Sequence, residues 1–299
     1  MNTGLKITAF AAALAATFGT AYGVGQGVDP VVDAASPVVE KHGDAHEAAP
    51  EEKAEEKAEE KAEAAPAAGG LQISEGGYTL ALETPTVAAG ARTEIRFSVK
   101  DGSGRKVTAY EREHEKELHF IIASRDLTEY RHLHPVRAAD GTWSTPVVLP
   151  KAGGYRAFAD FTPAAPGAEN LTLGADLAVS GAYTPAALPP ATATAEVDGY
   201  QVALGGDPLR PGKAGELKLT VSKGGRPVTD LQPYLGAYGH LVALRSGDLA
   251  YLHVHPNEGG PGPEVSFTAT APSSGTYRLF LDFQHEGKVR TAALTVHAQ

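Results

Sequence analysis

The sequence contains no cysteine, and it has a single methionine and a single tryptophan in 299 residues. Without thiols the chain forms no disulfide, zinc–thiolate site, iron–sulfur cluster or blue-copper centre, and it has no cysteine nucleophile. A Cu(I) carrier built on methionines is equally disfavoured, because Met1 is the only methionine. The eleven histidines are therefore the remaining ligands for a borderline-soft metal ion.

The motifs of common enzyme classes are also absent. The sequence has no Gly-x-Ser-x-Gly elbow, glycine-rich phosphate loop or His-Glu-x-x-His helix. No glutamate stands out as the general base of a hydrolytic metal centre. We therefore expect a protein that is not an enzyme.

Basic runs are missing as well. The formal net charge is −10, and residues 1–70 hold 12 acids against 5 lysines, whereas residues 71–299 hold 24 acids against 21 basic residues. The second part is thus nearly balanced in charge. Nucleic acid is not an expected partner of such a chain.

The N-terminal residues 1–28 are predicted to be a membrane anchor or a signal segment. Lys6 precedes an uncharged stretch of 22 residues, from Ile7 to Val28, which is long enough to cross a bilayer as a transmembrane helix. A cleaved signal peptide of a secreted protein is the alternative, with Gly19–Ala21 as its best cleavage site. In both cases the rest of the chain lies outside the cytoplasm, and we favour a cell-membrane protein with an uncleaved anchor.

Residues 29–70 are rich in Ala, Glu, Lys and Pro. The unit Glu-Glu-Lys-Ala repeats from Glu51 to Ala62, and this period places like charges four residues apart, which disfavours a stable helix. We expect a disordered stalk that holds the folded part away from the membrane.

The remainder of the chain is an internal duplication. Gly-Tyr-Thr-Leu-Ala-Leu-Glu from Gly77 recurs from Gly199 as Gly-Tyr-Gln-Val-Ala-Leu-Gly, and Tyr155–Phe161 recurs as Tyr277–Phe283. The offset stays at 121 or 122 residues throughout. We therefore predict copy one over residues 71–181 and copy two over residues 195–299, with residues 182–194 as a Pro/Ala/Thr-rich linker.

Both copies show the two-residue period of half-buried strands. Apolar and polar residues alternate over 95–99 and again over 217–221, and Gly, Pro and Asp clusters separate such runs. Six or seven strands in about 105 residues match an immunoglobulin-like sandwich. The predicted fold class is all-β, with two tandem antiparallel β-sandwiches that support each other through an interface.

Six histidines recur at one spacing in the two copies. From the first histidine of each set, the second is 13 and the third 15 residues away. The sets are His119, His132 and His134 in copy one, and His240, His253 and His255 in copy two. Residues i and i+2 of a strand share a face, and predicted hairpin turns at 124–126 and 246–248 bring the first histidine beside the other two. Three imidazoles suit Zn(II) or Cu(II) without a thiolate.

Other interpretations of these residues stay open at this point. Asp160 and Asp282 are candidates for a fourth ligand, yet strand parity places them on the face of Arg156 and Arg278, so salt bridges explain them at least as well. His285 has no counterpart in copy one and adds at most to the second site. The histidines could also be structural, stacking and hydrogen-bonding where prolines end the strands.

Copy two carries a resemblance to a known group of sequences. Its segments Pro233–Leu241 and Tyr251–Pro256 resemble poorly characterised exported bacterial proteins with tandem YtkA-like, immunoglobulin-like β-sandwich domains and His-x-His-Pro motifs. The resemblance implies His240, His253 and His255 as the histidine set, some of these relatives being associated with metal handling. Copy one departs from the pattern, because residues 108–118 are highly charged.

The sequence thus predicts a non-enzymatic extracytoplasmic protein that binds copper or zinc through duplicated histidine clusters, for sequestration or delivery. The alternative is an interaction module that presents its surface to another envelope protein and uses its histidines structurally. The duplicated spacing favours metal binding, because the interaction module does not require it.

Overall fold

The computed structural model describes residues 68–252 and 254–299, and this part of the chain contains strands and no α-helix. Within it we find no helix with the length and hydropathy of a membrane span. The predicted anchor over 1–28 and nearly all of the predicted stalk over 29–70 lie outside the described residues.

Copy one contains ten strands in two five-stranded sheets, ordered β1-β2-β4-β8-β7 and β3-β10-β9-β5-β6. The strands are β1 (Ser74–Glu75), β2 (Tyr78–Leu82), β3 (Thr86–Ala88), β4 (Arg92–Lys100), β5 (His119–Ser124), β6 (Tyr130–Leu133), β7 (Val136–Arg137), β8 (Trp143–Val148), β9 (Gly153–Phe161) and β10 (Leu171–Ser180). All pairings are antiparallel except that of β3 with β10. The sheets enclose a core in which Phe97 stacks on Phe120, with ring centroids 4.2 Å apart.

Copy two repeats this architecture. Its sheets have the orders β11-β12-β13-β18-β17, with β14 beside β13, and β16-β15-β19-β20. The strands are β11 (Thr194–Val197), β12 (Tyr200–Gly206), β13 (Ala214–Lys223), β14 (Arg226–Pro227), β15 (His240–Arg245), β16 (Tyr251–Leu252), β17 (Val254–Pro256), β18 (Glu264–Thr270), β19 (Gly275–His285) and β20 (Lys288–Ala298). The predicted pair of β-sandwiches is confirmed.

The number of strands differs from the prediction of six or seven per copy. The additional strands, such as β1, β7 and β14, are two residues long. A segment of two residues is too short to show a period in the sequence, so sequence patterning counts only the longer strands.

A third apolar cluster joins the two copies. Copy one contributes Ile121, Ala123, Leu127, Tyr130 and Phe158, and copy two contributes Val242, Leu244, Leu249, Tyr251 and Phe280. Each residue of the first set has its repeat equivalent, 121 or 122 positions later, in the second. The interface is therefore nearly two-fold symmetric, like the isologous interface of a homodimer. Across this interface Tyr130 stacks on Phe280, with ring centroids 4.1 Å apart and planes 6° apart.

The register of the central strands places the histidines at the edge of this interface. His119 lies opposite Asp160 of β9, and Ile121 lies opposite His132 of β6. His119 and Ile121 share a face, because successive side chains of a strand alternate. The face that carries the histidines of copy one is thus the face that packs against copy two.

Candidate metal centre

The copy-one histidines converge on one point. His119 begins β5, His132 lies in β6 and His134 follows the end of β6. Each offers one ring nitrogen, and the three nitrogens lie within 4.8 Å of one another. The shortest contact, of 3.1 Å, joins His119 Nδ1 to His132 Nε2. The hairpin predicted from the sequence brings these three side chains together.

Hydrogen bonds fix the orientation of the two inner rings. His132 Nδ1 donates to Asp282 Oδ2 over 2.9 Å, and His119 Nε2 donates to the backbone carbonyl of Glu113 over 3.1 Å. Carboxylate and carbonyl oxygens only accept, so we assign a proton to each of these outer nitrogens. The facing nitrogens, His119 Nδ1 and His132 Nε2, then carry lone pairs when both rings are neutral. A cation, either a proton or a metal ion, is needed between them.

The third histidine has a ring nitrogen without a hydrogen-bond partner among the described residues. Nε2 of His134 is buried and makes no hydrogen bond within the described part of the chain, whereas its Nδ1 lies 3.4 Å from the hydroxyl oxygen of Tyr234 in copy two. Buried polar atoms rarely lack a partner. A metal ion bound to Nε2 would satisfy it.

Copy two supports the site from its own strands. Asp282 of β19 is 3% exposed and accepts hydrogen bonds from His132 and from the Thr291 hydroxyl. A carboxylate that orients a metal-ligating histidine through its other ring nitrogen is a common feature of metal sites. The three candidate ligands belong to copy one and the orienting carboxylate to copy two, so the site depends on the contact between the copies.

Three histidines of this region, His119, His134 and His240, are neutral at pH 7. Burial, and secondarily the neighbouring His132, lower the pKa of His119 and of His134 to about 3. Burial likewise lowers the pKa of His240 to about 4, against a smaller opposing effect of its hydrogen bond to Tyr234. Neutral imidazole is the form that ligates metals.

The metal-free protein should lose stability as the pH falls from about 6.5 towards 4. Unfolded histidines take up protons near pH 6.5, whereas folded His119, His134 and His240 have pKa values of about 3, about 3 and about 4. The unfolded state therefore binds more protons in this window. The free energy of unfolding should fall by up to about 2 kcal/mol per histidine at pH 5.

Urea unfolding at about pH 7.5 and about pH 5 measures this loss. We expect His134→Gln to reduce the difference between the two conditions, whereas His297→Gln at an exposed position of β20 should leave it unchanged. Equal urea midpoints for the wild type at both pH values would contradict the inferred burial of neutral rings.

The copy-two histidines are placed differently by the structure. His240 begins β15, and its Nε2 donates to the Tyr234 carbonyl over 2.6 Å. Its ring centroid lies 6.2 Å from that of His132, so it borders the copy-one triad without belonging to it. His253 and the side chain of His255 lie outside the described residues, and the copy-two cluster therefore stays a prediction.

The salt bridges considered for the aspartates are not the ones formed. Asp282 and Arg278 share a face of β19, as strand alternation predicts. Asp282 nevertheless pairs with His132, and Arg278 donates to the Thr295 hydroxyl. Arg156 forms its ion pair with Asp176. The docking of the two copies places His132 beside Asp282. The alternation of residues along a strand of one copy cannot predict a contact with the other copy.

His285 forms its hydrogen bonds within copy two. Its Nδ1 lies 2.7 Å from the Tyr200 hydroxyl and its Nε2 lies 3.1 Å from Asp230 Oδ1. It is the last residue of β19. Its contribution to a copy-two cluster stays a prediction, because His253 and the side chain of His255 lie outside the described residues.

Sequence reasoning missed one histidine of this region. His114 is exposed in a tight turn between residues 113 and 116, with its ring centroid 5.2 Å from that of His240 and 6.1 Å from that of His119. It has no counterpart in copy two, where Leu235 occupies the equivalent position, so the repeat gives no signal for it. A cavity of about 260 Å³ is lined by His114, His119, His132 and His240 together with apolar residues of copy two.

Comparison with known proteins shows the family and little else. No curated protein matches the chain. Solved structures that resemble it include the Escherichia coli adhesin FdeC, with 16% identity, a TM-score of 0.24 and coverage of 76% of this chain and 65% of FdeC. A Salmonella alpha-2-macroglobulin mutant has 12% identity, a TM-score of 0.27 and coverage of 77% of this chain and 15% of its own. The D0-D1 domain of intimin has 11% identity, a TM-score of 0.21 and coverage of 73% of this chain and 96% of its own. The match thus covers less than two thirds of the length of FdeC and of the alpha-2-macroglobulin mutant. A family model described as a domain of unknown function (DUF8832) matches residues 72–171 and 195–299. The chain belongs to the DUF8832 family and carries two copies of its domain.

Proposed function

We propose that the protein binds a divalent transition-metal ion, Zn(II) or Cu(II), through His119, His132 and His134, and that it sequesters or delivers this ion outside the cytoplasm. The observation that carries the proposal is the 3.1 Å contact between two histidine nitrogens whose rings both donate outward. A metal ion held by two lone pairs accounts for this contact.

The dimensions suit such an ion. Zn–N bonds of about 2.0–2.1 Å place the nitrogens of a tetrahedral site about 3.3 Å apart. The three nitrogens, within 4.8 Å of one another, need only small ring movements to reach these distances. The set lacks thiolates and carboxylates, and imidazole ligands favour zinc and copper over calcium and magnesium.

The exported location is part of the proposal. It rests on the uncharged stretch from Ile7 to Val28 after Lys6, which is typical of an anchor or a signal segment. The resemblance of copy two to YtkA-like domains with His-x-His-Pro motifs agrees with metal handling. No specific residue supports an enzymatic reaction, and we propose a non-enzymatic role.

A structural role of the same residues is the second candidate. If His132 is protonated on both nitrogens, it donates to Asp282 and to His119 Nδ1, and both contacts are satisfied without a metal ion. The histidines would then join the two copies of an interaction module. This candidate leaves His134 Nε2 without a hydrogen-bond partner in the part of the chain that the structure describes, which favours the metal site.

Titration of the full-length chain with Zn(II), in competition with a chelator of known affinity, separates these candidates. His134→Ala removes one ligand at a half-buried position, together with a 3.4 Å contact to Tyr234 and the ring contacts with His119 and His132, so it should fold. We expect it to weaken Zn(II) binding by on the order of 100-fold.

His297→Ala is the matched control, because this exposed histidine of β20 hydrogen-bonds to the Thr276 hydroxyl and is not part of the triad. It should bind Zn(II) as the wild type does. Equal affinities of the wild type and His134→Ala, for Zn(II) and for Cu(II), would support the structural role and exclude the proposed one.

A further inference from the structure

Four histidines line the cavity beside the triad. His114 is exposed, whereas His240 is 8% exposed and His119 is 9% exposed. The ring centroids of His114 and His240 are 5.2 Å apart, and those of His240 and His132 are 6.2 Å apart. The exposed His114 ring is thus a neighbour of the buried His240 ring, and His240 is a neighbour of the triad, at spacings that one ion can bridge.

The position of His114 is set by an unusual turn. Residues 114 and 115 both have positive φ angles, of 48° and 65°, in a turn closed by two backbone hydrogen bonds between Glu113 and Lys116. These angles define a type I′ turn, in which glycine or asparagine is favoured and histidine is found more often than most other large residues. Copy two forms the same turn over residues 234–237 with Leu235 and Gly236 at its centre. His114 thus replaces the leucine of the other copy, and it lines the cavity.

His240 presents a nitrogen that is suited to a ligand role. Its Nε2 donates to the Tyr234 carbonyl, so the neutral ring carries its lone pair on Nδ1. This is the same arrangement that a carbonyl imposes on His119 in copy one. The His114 ring stands at 87° to the His240 ring. Together they offer two imidazole ligands, one from each copy.

The surrounding charge favours a cation. Glu113 and Asp160 line the same cavity, and no lysine or arginine does so among the described residues. Acidic walls raise the local concentration of cations and the rate at which they associate.

We infer that His114 and His240 form a second, outer site for a divalent ion, through which Zn(II) or Cu(II) enters the triad. This inference rests on the proposed function of the triad. Two imidazoles hold an ion less tightly than three, and an exposed ligand exchanges it readily. The outer site therefore captures the ion, and the inner site retains it.

Stopped-flow loading of the full-length chain with Cu(II), followed by equilibrium titration with the same ion, tests this inference. His114→Gln changes an exposed residue and should fold normally. We expect it to load the triad about 10-fold more slowly, to lose the weaker of two binding events and to keep the affinity of the tight one. His297→Gln should match the wild type in all three measurements.

The outcomes separate the inner from the outer site. If His114→Gln loads at the wild-type rate and binds as many ions, the outer site does not exist, although tight binding that depends on His134 would still support the triad. If the wild type has no tight site that depends on His134, the proposed function fails, and the outer site fails with it.

Discussion

Replacing Asp282 by asparagine should weaken the binding of Zn(II) by about 10–100-fold, although the three ligands belong to the other copy. Asp282 is 150 residues from His132 in the sequence and accepts the hydrogen bond of its Nδ1. The carboxylate raises the basicity of the His132 ring, so that its Nε2 lone pair binds the ion more tightly, and it holds the ring in place. An asparagine oxygen still accepts the hydrogen bond from His132, so the variant keeps this contact and loses the charge, while the Thr291 hydroxyl accepts from the new amide nitrogen instead of donating.

A second histidine–aspartate pair in copy two provides the control. Asp230 lies 3.1 Å from His285, and this pair is separate from the triad. We expect Asp230→Asn to bind Zn(II) with the wild-type affinity in the same chelator competition. If Asp282→Asn also binds with wild-type affinity, the carboxylate does not act on the metal site, and the inferred role of copy two is wrong.

Replacing Phe280 by alanine should lower the free energy of unfolding by about 3–5 kcal/mol. Phe280 is 3% exposed and stacks on Tyr130 within the apolar cluster that joins the copies. Its removal leaves a cavity that the rigid strands β6 and β19 fill only in part. Urea unfolding measures the loss.

The same substitution should also weaken Zn(II) binding, because the contact between His132 and Asp282 depends on the docking of the copies. Phe97→Ala is the matched control, since Phe97 is fully buried within copy one and lies outside the interface cluster. Under conditions where both variants are folded, we expect Phe97→Ala to keep the metal affinity and Phe280→Ala to reduce it. A loss below about 1 kcal/mol for Phe280→Ala would contradict the tight packing of this interface.

The parts of the fold that could be predicted are those encoded locally. The two-residue period over 95–99 and 217–221 predicts strands, and the constant offset predicts two equal domains. The spacing of His119, His132 and His134 predicts the triad, because a hairpin with a short turn fixes which residues face each other. These predictions need only residues that are close in the sequence and the pairing register of a single hairpin.

The contact between the copies could not be predicted residue by residue. Strand parity places Asp282 on the correct face, but the partner on that face comes from the other copy. One signal was present: Phe120–Ala123 is a continuous apolar run, which indicates a strand that is buried on both faces. It points to a second packed surface without identifying what covers it.

His114 could not be recognised for a different reason. It lies in a charged segment, copy two has Leu235 at the equivalent position, and the inferred role of His114 depends on the close approach of His240 across the interface. The distance between such residues follows from the docking of two domains, and sequence spacing carries no information about it.

The central claim is that three histidines of copy one bind a metal ion at the contact with copy two. The most direct test is a crystal structure of the full-length chain loaded with Zn(II), with anomalous diffraction recorded at the zinc edge. We predict an anomalous peak about 2.0–2.1 Å from one ring nitrogen each of His119, His132 and His134, with Asp282 still bonded to His132. Zinc found only elsewhere, with the contact between His119 and His132 unchanged, would contradict the account.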